Sequence, residues 1–134
     1  MYLLTAALIV ASCAGDDSDG DEPASTNQQS PDARTVAADD FRFAPEQTTL
    51  TAGVEVSITL RNHGSEPHTW TVLSEEIATE ADFSEDLVLA EVAETAPGAA
   101  TETRITIDEA GTYQMICTVP DHFDRGMFGS VIVQ

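Results

Sequence analysis

The stretch from Cys117 to Gly129 reads CTVPDHFDRGMFG. His122 follows the cysteine by five positions, and Met127 follows the histidine by five more. A second histidine, His68, stands upstream directly after Pro67. These residues offer one thiolate, two imidazoles and one thioether. Thiolate is soft and suits Cu(I), imidazole binds Cu(I) and Cu(II) alike, and thioether is a weak, soft ligand that disfavours Cu(II). Two histidines, one cysteine and a weakly bound methionine form the ligand set of a copper ion that cycles between Cu(I) and Cu(II). A trigonal site with one long axial bond suits neither oxidation state fully, so little has to move when an electron comes or goes. One such ion is expected.

Taken singly, each residue has an ordinary reading. Cys117 fits a buried core cysteine, Met127 core filler and His122 a surface histidine. The joint spacing favours the site. His63 competes with His68, but it lies in an Asn-His-Gly loop, whereas His68 opens a strand shared with Trp70 whose packing would fix its direction. Zinc on the same residues is conceivable, although structural zinc prefers more cysteine or histidine and rarely uses methionine. The chain has no phosphate-binding glycine loop, no GxSxG elbow and no HExxH helix. No acid–base pair or second metal centre is evident, so an electron carrier is expected rather than an enzyme.

Strands must hold these ligands. Val54, Val56, Ile58 and Leu60 alternate with Glu55, Ser57, Thr59 and Arg61, the period of a half-buried strand. His68, Trp70 and Val72 alternate again, as do Thr103, Ile105 and Ile107. Tyr113, Met115 and Cys117 fall on one strand face, with Gln114 and Ile116 on the other. Ser130–Val133 reads as a closing strand. Turn signals stand at Thr51–Gly53, Asn62–Pro67, Pro97–Gly98 and Glu109–Gly111. Residues 74–96 fit either a short helix or an irregular strand. Short strands at intervals of about ten residues predict an all-β sandwich or barrel.

Several words in order carry a resemblance. They are Phe41-x-Phe43-x-Pro45, Gly53-Val54-x-Val56, Asn62–His68 as NHGSEPH, Gly111-Thr112-Tyr113 ahead of Cys117, and Gly126-Met127-x-Gly129. With them, the chain from about Thr35 to Gln134 resembles the cupredoxins, the plastocyanin and azurin family, and its CxxxxHxxxxM spacing is nearest the auracyanin-like branch. The resemblance implies a Greek-key sandwich of about seven or eight strands. It implies a type 1 (blue) copper site in which Cys117 is the equatorial thiolate, His68 and His122 the equatorial imidazoles, and Met127 the axial ligand. Family members dock redox partners on an apolar patch around the second histidine, here Pro120, Phe123 and Phe128. The residue after the first ligand histidine is usually asparagine in the best-known members and braces the ligand loops. Here it is Thr69, which puts that hydrogen bonding in question. Asp121 stands where related loops often carry glycine, and a carboxylate beside His122 would favour Cu(II).

The front of the chain reads as an address. Residues 1–11 are apolar, too short to span a bilayer comfortably, and suit an export signal. Val10-Ala11-Ser12-Cys13 resembles a bacterial lipobox, which implies lipidation of Cys13; an ordinary cleaved signal is the alternative. Gly15–Pro31 is polar and acidic, unable to bury enough surface to fold, and reads as a disordered tether. The expected divisions are a signal over 1–12, a linker over 13–33 and the folded domain over 34–134. A disulfide between Cys13 and Cys117 is disfavoured, because their surroundings assign them separate tasks.

The chain carries 24 acidic residues against five basic ones, all arginine, for a net charge of −19. A nucleic acid backbone would be repelled. The natural partners are redox proteins with basic patches, and the membrane through the lipid anchor. The protein is thus expected outside the cytoplasm, anchored at the outer face of the cell membrane or in the periplasm, shuttling single electrons. The competing functions are a copper carrier or buffer that delivers metal to an oxidase, and a metal-free sandwich serving as an interaction module.

Overall fold

The computed structural model describes residues 32–134. The apolar leader, Cys13 and the linker up to residue 31 lie outside the described residues. Nine strands follow in order: β1 (Asp32–Asp39), β2 (Arg42–Ala44), β3 (Gln47–Leu50), β4 (Val56–Asn62), β5 (His68–Leu73), β6 (Val88–Thr95), β7 (Ala100–Ile105), β8 (Gly111–Ile116) and β9 (Phe128–Val133). They form two sheets, ordered β2-β1-β4-β7 and β3-β9-β8-β5-β6. The chain crosses repeatedly between them, giving a Greek-key sandwich with nine strands rather than seven or eight. At the start of β1, Asp32 and Ala33 pair in parallel with Val56 and Ser57.

The core lies where the predicted alternation puts it. Ile58 and Leu60 from β4 meet Trp70 and Val72 from β5, Met115 from β8 and Val131 from β9, all buried. Val54 does not join them; it precedes β4 and is exposed.

β5 is buried along its whole length, so both of its faces are covered. One face lies on the main core. The other belongs to a satellite core of Leu73, Ile77, Ile116 and Phe123, packed with Phe83, Leu87 and Val88. The segment with two possible readings supplies that cover. It is neither a helix nor one strand: two single 3-10 turns (Glu80–Asp82 and Glu85–Leu87) precede β6. Asp82 accepts hydrogen bonds from the Thr79 backbone N–H and hydroxyl at 3.0 and 2.9 Å, which closes the first turn.

Antiparallel pairing then fixes where the ligand candidates meet. Thr71 of β5 pairs with Ile116 of β8, and Ile116 pairs with Phe128 of β9. The start of β5, the end of β8 and the start of β9 therefore share one end of the sheet. His68, Cys117 and Met127 occupy those three positions.

Candidate metal centre

His68 is the first residue of β5 and is fully buried. Cys117 directly follows β8, also fully buried, with its backbone N–H donating to the Met127 carbonyl at 3.1 Å. Between them the chain makes a tight loop. The His122 N–H donates to the Val119 carbonyl at 3.1 Å, and the Met127 N–H donates to the His122 carbonyl at 3.0 Å. Asp121 takes a positive φ of 69°. Glycine adopts that conformation most readily, which accounts for its frequency at this point in related loops.

Three side chains converge. The Nδ1 atoms of His68 and His122 lie 3.1 Å apart, and the Cys117 Sγ is 3.5 Å from His122 Nδ1 and 3.9 Å from His68 Nδ1. The point equidistant from these atoms lies about 2 Å from each, the length of a first-row metal–imidazole bond. The tautomers follow from the outer nitrogens. His68 Nε2 faces the Asp40 carboxylate at 3.2 Å, and His122 Nε2 faces Glu66 at 2.7 Å. A carboxylate accepts, so each Nε2 carries a hydrogen, and the tautomer that fits turns the Nδ1 lone pair inward. Two lone pairs and a sulfur aimed at one buried point suit a cation, and the donors are those that hold copper. Met127, fully buried, packs in the same core cluster as Cys117.

Burial sets the protonation. It lowers the His68 pKa, with the Asp40 hydrogen bond opposing it and the nearby His122 adding to it. It raises the Cys117 thiol, against which the Thr69 backbone N–H works by donating to the sulfur at 3.4 Å.

Thr69 answers the question left by the missing asparagine. Its Oγ1 accepts the Thr118 N–H at 2.8 Å and shares a hydrogen bond with the Thr118 hydroxyl at 2.9 Å. It therefore ties β5 to the residue after the cysteine. His63 lies on the surface and outside the cluster.

Two expectations need correction. Phe123 is 5% exposed, buried in the satellite core under apolar side chains of the otherwise acidic 73–88 segment, so its ring is not part of a docking surface; Pro120 and Phe128 are exposed. The carboxylate beside His122 is Glu66 rather than Asp121, whose backbone N–H donates to Glu80 at 2.8 Å.

Sequence reasoning also missed the surroundings of the histidines. Asp40 accepts hydrogen bonds from the Ser65 N–H at 2.9 Å, the Ser65 hydroxyl at 2.6 Å and the Glu66 N–H at 3.2 Å. These bonds hold its carboxyl down to about 2, the Ser65 hydroxyl contributing most. Phe41, with φ of 67°, sets its ring edge-on to His122 at 5.2 Å, and Arg125 lies over Phe41 at 4.6 Å. His122 is left 2% exposed. Asn62 was a visible signal for the loop. Its Nδ2 donates to the Glu66 and Thr95 carbonyls at 2.7 and 2.8 Å, and its Oδ1 accepts the Gly64 N–H at 2.8 Å.

Comparison with known proteins places this geometry in context. A family model described as a cupredoxin-like domain matches residues 1–133. The chain is 29% identical over 108 residues to the copper-resistant cuproprotein CopI of Rubrivivax gelatinosus, covering 75% of this chain and 65% of that protein. It thus spans slightly under two thirds of that relative's length. Among solved structures it is similar to auracyanin A, a blue copper protein of Chloroflexus aurantiacus, with a TM-score of 0.70 and 24% identity over 78% of this chain and 99% of that one. Auracyanin B gives a TM-score of 0.69 and 23% identity over 77% and 88%. The reduced auracyanin of Roseiflexus castenholzii gives 0.65 and 21% over 78% and 98%. At these identities the likeness to the solved structures is one of fold.

Proposed function

The chain belongs to the cupredoxin-like family, and from that membership we propose that it is a blue-copper electron carrier, with one copper ion held by His68, Cys117 and His122 and by Met127 as axial ligand. The observation that carries this reading is the inward triangle of two Nδ1 lone pairs and Sγ, whose centre lies about 2 Å from each donor.

Copper supplies a one-electron couple when bound. The residues do the rest. Cys117 and the histidines are held by β-sheet ends and a hydrogen-bonded loop, so the donors keep their positions in both oxidation states. Complete burial of His68, Cys117 and Met127 excludes water that would otherwise complete an octahedral Cu(II) shell. The Thr69 N–H fixes the sulfur, and Thr69 Oγ1 fixes the residue that follows the cysteine, where the ligand loop begins. Exposed Pro120 and Phe128 border the ligand loop and offer an apolar contact for a redox partner. A net charge of −19 favours a basic one. Export, with a lipid on Cys13 and an acidic tether, belongs to the same proposal.

One observation favours a second reading, copper holding rather than electron exchange. Phe41 and Glu66 close over His122, leaving it nearly without exposed surface, and the curated relative is named for copper resistance.

The test is the visible and electron paramagnetic resonance spectrum of the full chain with one equivalent of Cu(II), beside Cys117→Ser. An intense thiolate-to-copper band with narrow copper hyperfine splitting, lost in the variant, is expected. A pale sample that is the same in both proteins would sink the blue-copper reading. Reversible one-electron titration then separates carrier from store: a carrier cycles while retaining its copper, and a store loses it on reduction or does not cycle.

A further inference from the structure

Both ligand histidines end on a carboxylate, and the two carboxylates belong to one hydrogen-bonded unit. Asp40, in the turn after β1, reaches His68 Nε2 and also holds the Ser65 and Glu66 N–H groups. Glu66, so held, reaches His122 Nε2 at 2.7 Å. Gly64 completes the cradle. A Cβ there would collide with Asp40 Oδ1 and come within 2.8 Å of His68 Nε2. We propose that Asp40 and Glu66 are positioning residues of the metal centre, each accepting the Nε2–H of one histidine, fixing both rings with Nδ1 inward and biasing bound copper toward Cu(II).

The proposal rests on the blue-copper reading and adds what sets its potential. A carboxylate on the outer nitrogen makes an imidazole more basic and selects its tautomer. It also brings negative charge near the metal, which favours the higher oxidation state. Asp40 is poised for this role, being two-thirds shielded and tied by three further hydrogen bonds. The Glu66 side chain is 51% exposed, so solvent screens part of its charge. Its effect belongs at the lower end of the tenfold to hundredfold range typical of such contacts. Arg125 lies over the Phe41 ring that packs edge-on against His122, and makes no hydrogen bond to either carboxylate.

The test is the reduction potential of the copper-loaded full chain, measured by spectroelectrochemical titration in wild type, Glu66→Gln, Asp40→Asn and Glu55→Gln. Glu55, exposed and paired with Arg104, precedes β4 at the end of the sandwich away from the site, and its variant controls for loss of one negative charge. Glu66→Gln is expected to keep the thiolate band while weakening Cu(II) relative to Cu(I) about tenfold, a rise of about 59 mV for a one-electron couple. Asp40→Asn should rise likewise; if it fails to fold, Glu66→Gln decides alone. Glu55→Gln should stay at the wild-type value. A Glu66→Gln potential no higher than that of Glu55→Gln, with the band retained, overturns the inference and leaves the blue-copper reading standing. A wild-type chain without the band overturns both.

Discussion

Replacing Thr69 by valine removes one hydroxyl and keeps the shape of the side chain. Thr69 is 5% exposed, and its Oγ1 is the partner of the Thr118 N–H at 2.8 Å. Valine leaves that N–H without an acceptor at a partly buried position. The cost is set by the orphaned donor, about 1–3 kcal/mol, more than by the bond lost. The Thr118 hydroxyl can turn to water and adds little. Taking about 2 kcal/mol, a domain of this size should lose roughly 8–16 °C in Tm and about 1 M in urea midpoint at unchanged slope. The assay is urea unfolding of the metal-free chain, with Thr69→Ser as the companion. Serine keeps the oxygen and should recover most of the loss. A valine variant within about 0.5 kcal/mol of wild type, at equal slope, would mean that Thr69 is not the brace between β5 and the cysteine strand.

Gly129→Ala should lower stability by about 1–3 kcal/mol in the same assay, because the new Cβ meets the Glu46 carbonyl and comes within 2.6 Å of Met115 Cε in the β3–β9 contact; an unchanged midpoint would show that this contact yields freely. Asp40 has its folded pKa near 2 against an ordinary 3.8, so its stabilisation is complete above about pH 4 and fades as pH falls toward 2. The midpoint gap between wild type and Asp40→Asn, measured metal-free, should therefore narrow between pH 5 and pH 2.5, and a constant gap would refute the clamp on the Ser65 loop. Met127→Leu should retain copper and raise the potential, since a thioether, poor for Cu(II) beside harder donors, still supports it more than no donor does; release of copper on that change would refute the axial assignment.

The strands that carry the candidate ligands were legible because their signal is local. Ile58 and Leu60, or Met115 and Cys117, sit two residues apart and share a face whatever the rest of the chain does. His68 was separable from His63 for the same reason, being in phase with buried Trp70. Residues 74–96 were not legible, because what orders them is distant. Glu80 accepts the Asp121 N–H at 2.8 Å while its own N–H donates to Asp124 at 3.1 Å, a reciprocal latch onto the ligand loop across more than forty residues. The same segment removes Phe123 from the surface, although the local sequence FDRGMF reads as an exposed loop. Asp40 and Glu66 escaped likewise: their link spans a strand crossing, and acidic residues are too common in this chain to stand out.

The outer contacts tie both histidine rings to the scaffold through atoms that face away from the centre. Two Nδ1 lone pairs 3.1 Å apart repel unless something positive lies between them. Burial raises the pKa of the Cys117 thiol, whose sulfur is 3.5 Å from His122 Nδ1, within reach for an S–H donor. A metal bound here would take the thiolate, so its binding would release the thiol proton. Such binding would leave the outer hydrogen bonds to Asp40 and Glu66 in place, since the Nε2 hydrogens would take no part in it. A rim whose hydrogen bonds metal binding would leave untouched lowers the cost of ordering the loops around an ion.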